Sequence, residues 1–284
     1  MDRVRSALIA GALVLLAARP ALAQQCHPWS PGTWRSPGVA LGVRLDAAGY
    51  RHPRYEGDFE GLAPLVSFSH RRFSALALLP AYRLVRNGRP EFGLGDLALA
   101  IRAPIPTWTH GATALGFGLA MTLPTGSVSA GLGMGHVMLM PEFWWAHERG
   151  RVQLFGTVGF GRAITSGGAG HHATGPAPIV NPMNRAEVEG SLGASLRVHR
   201  LLWLRGGAFG AIPVGTINPA GVSRVVLSQG VVLVIRGLEI SAELQAPLTG
   251  APFLARGCPS GQLPLRPQAT PRHPPGSGGS GLSS

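Results

Sequence analysis

The sequence predicts an all-β chain, an antiparallel up-and-down transmembrane β-barrel of about twelve strands, following an N-terminal signal peptide. Three observations predict it. Strand-length segments recur with two-residue alternation, the connections between them alternate short and long, and the chain opens on an export leader.

The leader comes first. Arg3 and Arg5 precede the apolar run Ala7 to Ala18, and Ala21-Leu22-Ala23 stands directly before Gln24. A charged start, a short apolar centre and an A-x-A site make residues 1–23 a secretory signal peptide. The apolar run is shorter than the ~20 residues that cross a bilayer and ends at Pro20, which argues against a membrane anchor. Ala23-Gln24-Gln25 before Cys26 is not the sequence of a lipid-anchor site. Residues 24–38 then read as a periplasmic N-terminal segment, 39–258 as the outer-membrane barrel, and the Pro-, Gly- and Ser-rich stretch 259–284 as a disordered tail.

Composition agrees with a membrane location reached by strands. Hydrophobic residues make up 45% and charged residues 13%, at a mean hydropathy of +0.19, yet Arg, Asp, Glu or Pro interrupts every candidate membrane helix after the leader. The basic excess is entirely arginine. It falls in short turns such as Arg71-Arg72, Arg149 to Arg151 and Arg197 to Arg200, and the export signal removes nucleic acid as a partner. Outer-membrane lipid headgroups are the natural counter-charge. Cys26 and Cys258, in an oxidising compartment, are candidates for one disulfide, with a two-cysteine metal site the weaker alternative.

The strand candidates are 39–48, 62–70, 72–85, 93–105, 111–124, 136–147, 151–163, 185–198, 201–214, 223–236 and 238–248, with a twelfth beginning near Ala251 and running through the short segment Pro252 to Cys258. In Leu238-Glu239-Ile240-Ser241-Ala242-Glu243-Leu244-Gln245 the polar residues all fall on one side of a strand, whereas a helix would scatter them. Val39 to Asp46, Asp96 to Arg102 and Glu187 to Arg197 repeat the pattern. Short turns at 69–72, 147–151, 199–201 and 236–237 alternate with long connections at 49–61, 86–92, 125–135, 164–184 and 215–222. All long loops therefore leave one rim, as in outer-membrane barrels. Phe68, Phe73, Trp108, Phe143, Trp144, Trp145 and Trp203 lie at the short-turn ends and predict a periplasmic aromatic girdle.

The other face of each strand is small or charged. Arg44, Asp46, Asp96, Arg102, Glu142, Glu187, Glu189, Arg197, Arg205, Glu239 and Glu243 point inward by alternation and line a narrow lumen. An ion-pair network that satisfies its own members is the first role of such a set, ahead of solute contact.

The central third carries a motif series. Gly95-Asp96-Leu97 opens a strand, Leu123-Pro124-Thr125-Gly126 closes the next, and Gly131-Leu132-Gly133-Met134-Gly135 follows. Over residues 93–163 this resembles the meta-pathway phenol-degradation family of outer-membrane β-barrel proteins. The resemblance implies a transporter-like barrel passing small, hydrophobic or aromatic compounds, with lipid, the solute and the barrel-assembly machinery as partners. Pro ends a strand ladder and Gly permits the turn, so the motif residues read as fold markers rather than ligand contacts. A non-transporting structural or adhesion protein acting through its external loops is the alternative.

Other chemistry has little support. His136, Met138 and Met140 share period two with Glu142 and are weak soft-metal candidates, for which space filling by methionine is the simpler account. His171-His172 lacks a third ligand at a fixed spacing, and neither Ser69 with His70 nor His147 makes a nucleophile with its base. The expectation is no enzyme and no cofactor.

Overall fold

The computed structural model describes residues 38–52, 55–70, 73–106, 112–165, 180, 183–215, 223–235, 238–249 and 253–264. The signal peptide, Cys26, Trp108, His171-His172 and the tail beyond residue 264 lie outside them.

Among the described residues fourteen strand segments follow in order: β1 Gly38–His52, β2 Tyr55–His70, β3 Phe73–Leu78, β4 Ala81–Arg86, β5 Arg89–Leu94, β6 Leu97–Pro104, β7 Thr113–Leu123, β8 Met138–Arg149, β9 Val152–Ala163, β10 Ala186–His199, β11 Leu202–Pro213, β12 Arg224–Ile235, β13 Leu238–Thr249 and β14 Phe253–Pro264. All pairings are antiparallel between neighbours. β3 and β4 both pair with β2, and β6 and β5 continue the row, so the segments make a barrel of twelve staves. β1 pairs with β14 on one side and β2 on the other, and the sheet closes on itself.

Two staves are interrupted at the same height. Leu79-Pro80 separates β3 from β4, and Gly95-Asp96 separates β5 from β6. Proline offers no N–H to a ladder. The Pro80 carbonyl instead accepts from the Gly95 N–H at 2.8 Å, tying the two interruptions together. Above this point β5 has β4 as its one strand partner among the described residues.

Alternation sorts side chains as expected, with polarity inverted relative to a water-soluble protein. Outward residues are apolar and exposed, Phe117 at 60% and Leu192 at 62%, and they form a continuous band. Inward residues are buried, among them Asp46, Glu142, Glu187 and Arg224. Only hydrocarbon suits such an exterior, and only a closed sheet leaves no backbone group unpaired within it. The protein is an outer-membrane barrel.

The structure corrects five details. The long connections expected at 49–61 and 86–92 are mostly strand: β1 and β2 reach His52 and Tyr55, and β4 and β5 meet at Asn87-Gly88. Asn87 has φ 49° and Gly88 φ 79°, the left-handed pair that a two-residue hairpin requires. Segments 72–85 and 93–105 are broken rather than continuous. The twelfth strand extends to Pro264, so the first residues of the expected tail belong to the sheet. β8 begins at Met138, which leaves His136 in the preceding loop. Finally, the girdle keeps Phe68, Phe73, Phe143 and Trp145 on the outside but loses Trp144 and Trp203, whose register turns them inward. Three consecutive residues cannot share one face of a strand.

Candidate functional site: the lumen

The lumen is held by ion pairs that reach over small residues. Arg102 on β6 and Glu142 on β8 are separated by β7, and the residue registered between them is Gly118. Arg102 donates through Nε and Nη2 to the two oxygens of Glu142 at 2.5 and 2.9 Å. A Cβ at Gly118 would stand 2.5 Å from Glu142 Oε1, so the bridge exists because β7 offers no side chain there. Arg224 on β12 likewise passes the buried Ala211 of β11 and donates to both oxygens of Glu187 on β10 at 2.9 and 2.7 Å. Asn184 adds a bond to the same carboxylate at 2.7 Å. Across the seam, Asp46 takes Arg44 at 2.9 Å and Arg256 of β14 at 3.2 Å, and the Arg256 guanidinium lies 5.8 Å from the Phe59 ring centre. Losing one member of such a buried pair leaves an uncompensated charge, worth about 3–5 kcal/mol.

The mouth at the long-loop rim is filled from two directions. Leu132, from the connection 124–137, packs with the inward residues Ala48, Tyr50, Phe59, Tyr82 and Leu84, and Val180 joins them from the connection after β9. Motif residues hold this loop in place. The Thr125 hydroxyl donates to the Gly95 carbonyl at 2.7 Å and accepts from the Leu97 N–H at 2.9 Å, bridging the interruption in the wall. Asp96 accepts from the Gly126 N–H at 3.1 Å and the Met134 N–H at 2.8 Å. Arg86 donates to the Ala130 carbonyl. The Gly-Asp-Leu and Leu-Pro-Thr-Gly segments thus form one latch, which carries the loop inward.

Below the Glu187–Arg224 pair, toward the short-turn rim, lies a cavity of about 80 Å³. Phe155, Phe209 and Val226 contribute its apolar lining, and Thr157, Ser191, Ser228, Arg205 and Glu243 its polar lining. The Arg205 guanidinium sits 5.0 Å from the Phe155 ring centre, and Gln245 donates to Glu243 at 2.7 Å. The walls therefore combine ring faces with hydrogen-bonding groups.

Most of the expected lumen residues face inward: Arg44, Asp46, Arg102, Glu142, Glu187, Glu189, Arg205, Glu239 and Glu243 all do so by register. Two differ. Asp96 sits in the wall interruption, and its carboxylate serves the loop. Arg197 keeps the inward register, opposite Trp203, but stands exposed at the short-turn rim, with its guanidinium 5.3 Å from the Trp203 ring centre. Arg224, Arg256 and Gln245 are buried members that the sequence reading did not single out. Their inward parity was available, but Arg224 and Arg256 lie at strand ends beside loops, where alternation is shortest.

Of the catalytic candidates, Ser69 is buried inside and His70 points outward, on opposite faces of β2. His147 hydrogen-bonds Thr113 at 2.8 Å on the outer face. Among the described residues, no three of His, Cys, Asp and Glu converge as a metal site. Cys258 is buried on the inward face of β14.

No protein-family model and no curated protein matches the chain. Among solved structures it is similar to the NanC porin, 7% identical, with 80% of this chain and 99% of that chain covered and a TM-score of 0.50. It is also similar to the beta domain of the Bordetella autotransporter Brka, at 14% identity, 80% and 100% coverage and a TM-score of 0.47. The Ralstonia pickettii toluene transporter TbuX shares 10% identity over 81% of this chain and 90% of that chain, with a TM-score of 0.44. The likeness to the porin is one of fold.

Proposed function

We propose that this barrel is a channel or transporter that passes a small hydrophobic or aromatic solute across the outer membrane, and that it belongs to the meta-pathway phenol-degradation family its motifs resemble. The observation that carries the reading is the cavity in the lumen. Phe155 and Phe209 offer ring faces while Arg205, Glu243 and the hydroxyls of Thr157 and Ser191 offer hydrogen bonds. A pocket that is mostly apolar with a few convergent polar groups suits a phenol-like molecule. The ion pairs brace the inner wall across neighbouring strands, and no covalent chemistry or cofactor is needed. Outer-membrane lipid, the solute and the barrel-assembly machinery are its partners on this reading. Residues 1–23 direct export, and Cys26 and Cys258 form a disulfide once the chain has left the reducing cytoplasm.

Reconstitution tests the proposal. Protein in planar bilayers is expected to give discrete single-channel currents, and proteoliposomes to take up phenol or toluene faster than empty vesicles. Absence of both current and flux removes the transport reading and leaves the structural or adhesion role through the external loops.

A further inference from the structure

Four methionines from three chain segments meet in one place. Met134 comes from the inward-folded connection 124–137, Met138 and Met140 from the inner face of β8, and Met183 from the approach to β10. Met134, Met138 and Met140 are buried together, and Met183 packs against them with the small residues Ala120 and Ala163. The chain contains six methionines, one of them Met1 in the leader, so these four are most of the complement. Of the five methionines beyond the leader, four therefore gather at this one point.

The neighbours leave room for the thioethers. On β9 the facing position is Gly161, where a Cβ would lie 2.9 Å from Met138 Cε and 3.3 Å from Met140 Cγ. A negative charge is also at hand. Asp96 is 7% exposed, and its partners among the described residues are the backbone N–H groups of Gly126 and Met134 rather than a guanidinium. The carboxylate is therefore anchored to the backbone of Met134, the first member of the cluster, and among the described residues no guanidinium is bonded to it. Thioether sulfurs are soft donors that select cuprous and silver ions over hard divalent cations.

We propose that Met134, Met138, Met140 and Met183 form a thioether site for one soft univalent cation, cuprous or silver, with Asp96 as the nearby counter-charge. The site is separate from the solute cavity and does not depend on the transport reading.

The test uses the full folded chain in detergent, with any free thiol alkylated, titrated with silver as a redox-inert stand-in for the cuprous ion. One silver per chain is expected, with sulfur neighbours in its X-ray absorption spectrum. The double variant Met138→Leu, Met140→Leu keeps volume and apolarity, and is expected to weaken binding at least tenfold. No stoichiometric binding, or equal affinity in the Leu variant, overturns the proposal. A second measurement on the unaltered protein needs no variant to fold. Bound silver should protect Met134, Met138 and Met140 from peroxide oxidation, read by peptide mass spectrometry, relative to Met121 on the outer face of β7. Oxidation of the three that proceeds equally with and without silver also overturns the site.

Discussion

The Asp96 carboxylate accepts the Met134 backbone N–H at 2.8 Å, joining an interruption in the barrel wall to the loop that fills the mouth. It holds the Gly126 N–H as well, so one side chain satisfies two buried donors on either side of the loop's turn. Replacing Asp96 with Ala leaves both without an acceptor, at a cost of about 1–3 kcal/mol each. Amide exchange at Gly126 and Met134 is expected to accelerate before that of β7 and β8. Unchanged protection at these two amides in Asp96→Ala would show that the loop is held by Leu132 packing alone.

Glu187 and Arg224 make a deeply buried ion pair in the lumen, with both carboxylate oxygens engaged. Arg224→Met takes the guanidinium from the carboxylate and Glu187→Gln takes the hydrogen-bonded carboxylate from the guanidinium, and each single change is expected to cost about 3–5 kcal/mol in urea unfolding. The double variant Glu187→Gln, Arg224→Met removes both charges and should recover most of the loss, because the penalty belongs to an unpaired charge. Simple addition of the two single losses would mean that the residues act independently.

Arg102 and Glu142 offer a functional counterpart. Arg102→Ala leaves the Glu142 carboxylate facing the lumen without its bidentate partner. On the transport reading, the reversal potential in a salt gradient is expected to shift toward cation selectivity, whereas Arg102→Ala with Glu142→Ala should not shift it. Identical selectivity in the single and double variants would place this pair outside the conduction path.

How much of this was legible in the sequence depends on which geometry a feature needs. Parity along one strand is local, so the inward placement of Glu142, Glu187 and Arg102 could be read from alternation. Partner choice is not local. That Arg102 reaches Glu142 over Gly118 depends on two strand registers at once, and nothing in either segment states them. Trp144 shows the cost of reading a cluster by composition: beside Phe143 and Trp145 it resembled a girdle residue, yet it faces inward and donates to the Phe117 carbonyl at 3.2 Å. The Asn87-Gly88 hairpin had the opposite status, because Asn-Gly is a strong turn signal that the broader loop assignment at 86–92 overrode. The structural work of the motif residues needs the three-dimensional arrangement, since Thr125 and Asp96 act on a wall interruption that neither segment discloses by itself.

Cys258 is buried and faces the lumen from the middle of β14, at the level of Arg44 to Ala47 on β1. The proposed bond to Cys26 would therefore fasten the segment before β1 to the inner wall rather than to the barrel's outer surface. Peptide mapping of non-reduced protein is expected to yield a Cys26–Cys258 cross-linked peptide that reductant separates. Fixing one chain end to the closing strand also restricts the unfolded ensemble, by about 2–4 kcal/mol for a disulfide of ordinary geometry. Cys258→Ser should thus unfold at lower urea than the oxidised parent, and the difference should vanish when the parent is reduced. Recovery of both cysteines as free thiols from protein purified without reductant would end this assignment, and would leave Cys258 as an inward-facing side chain with a packing role only.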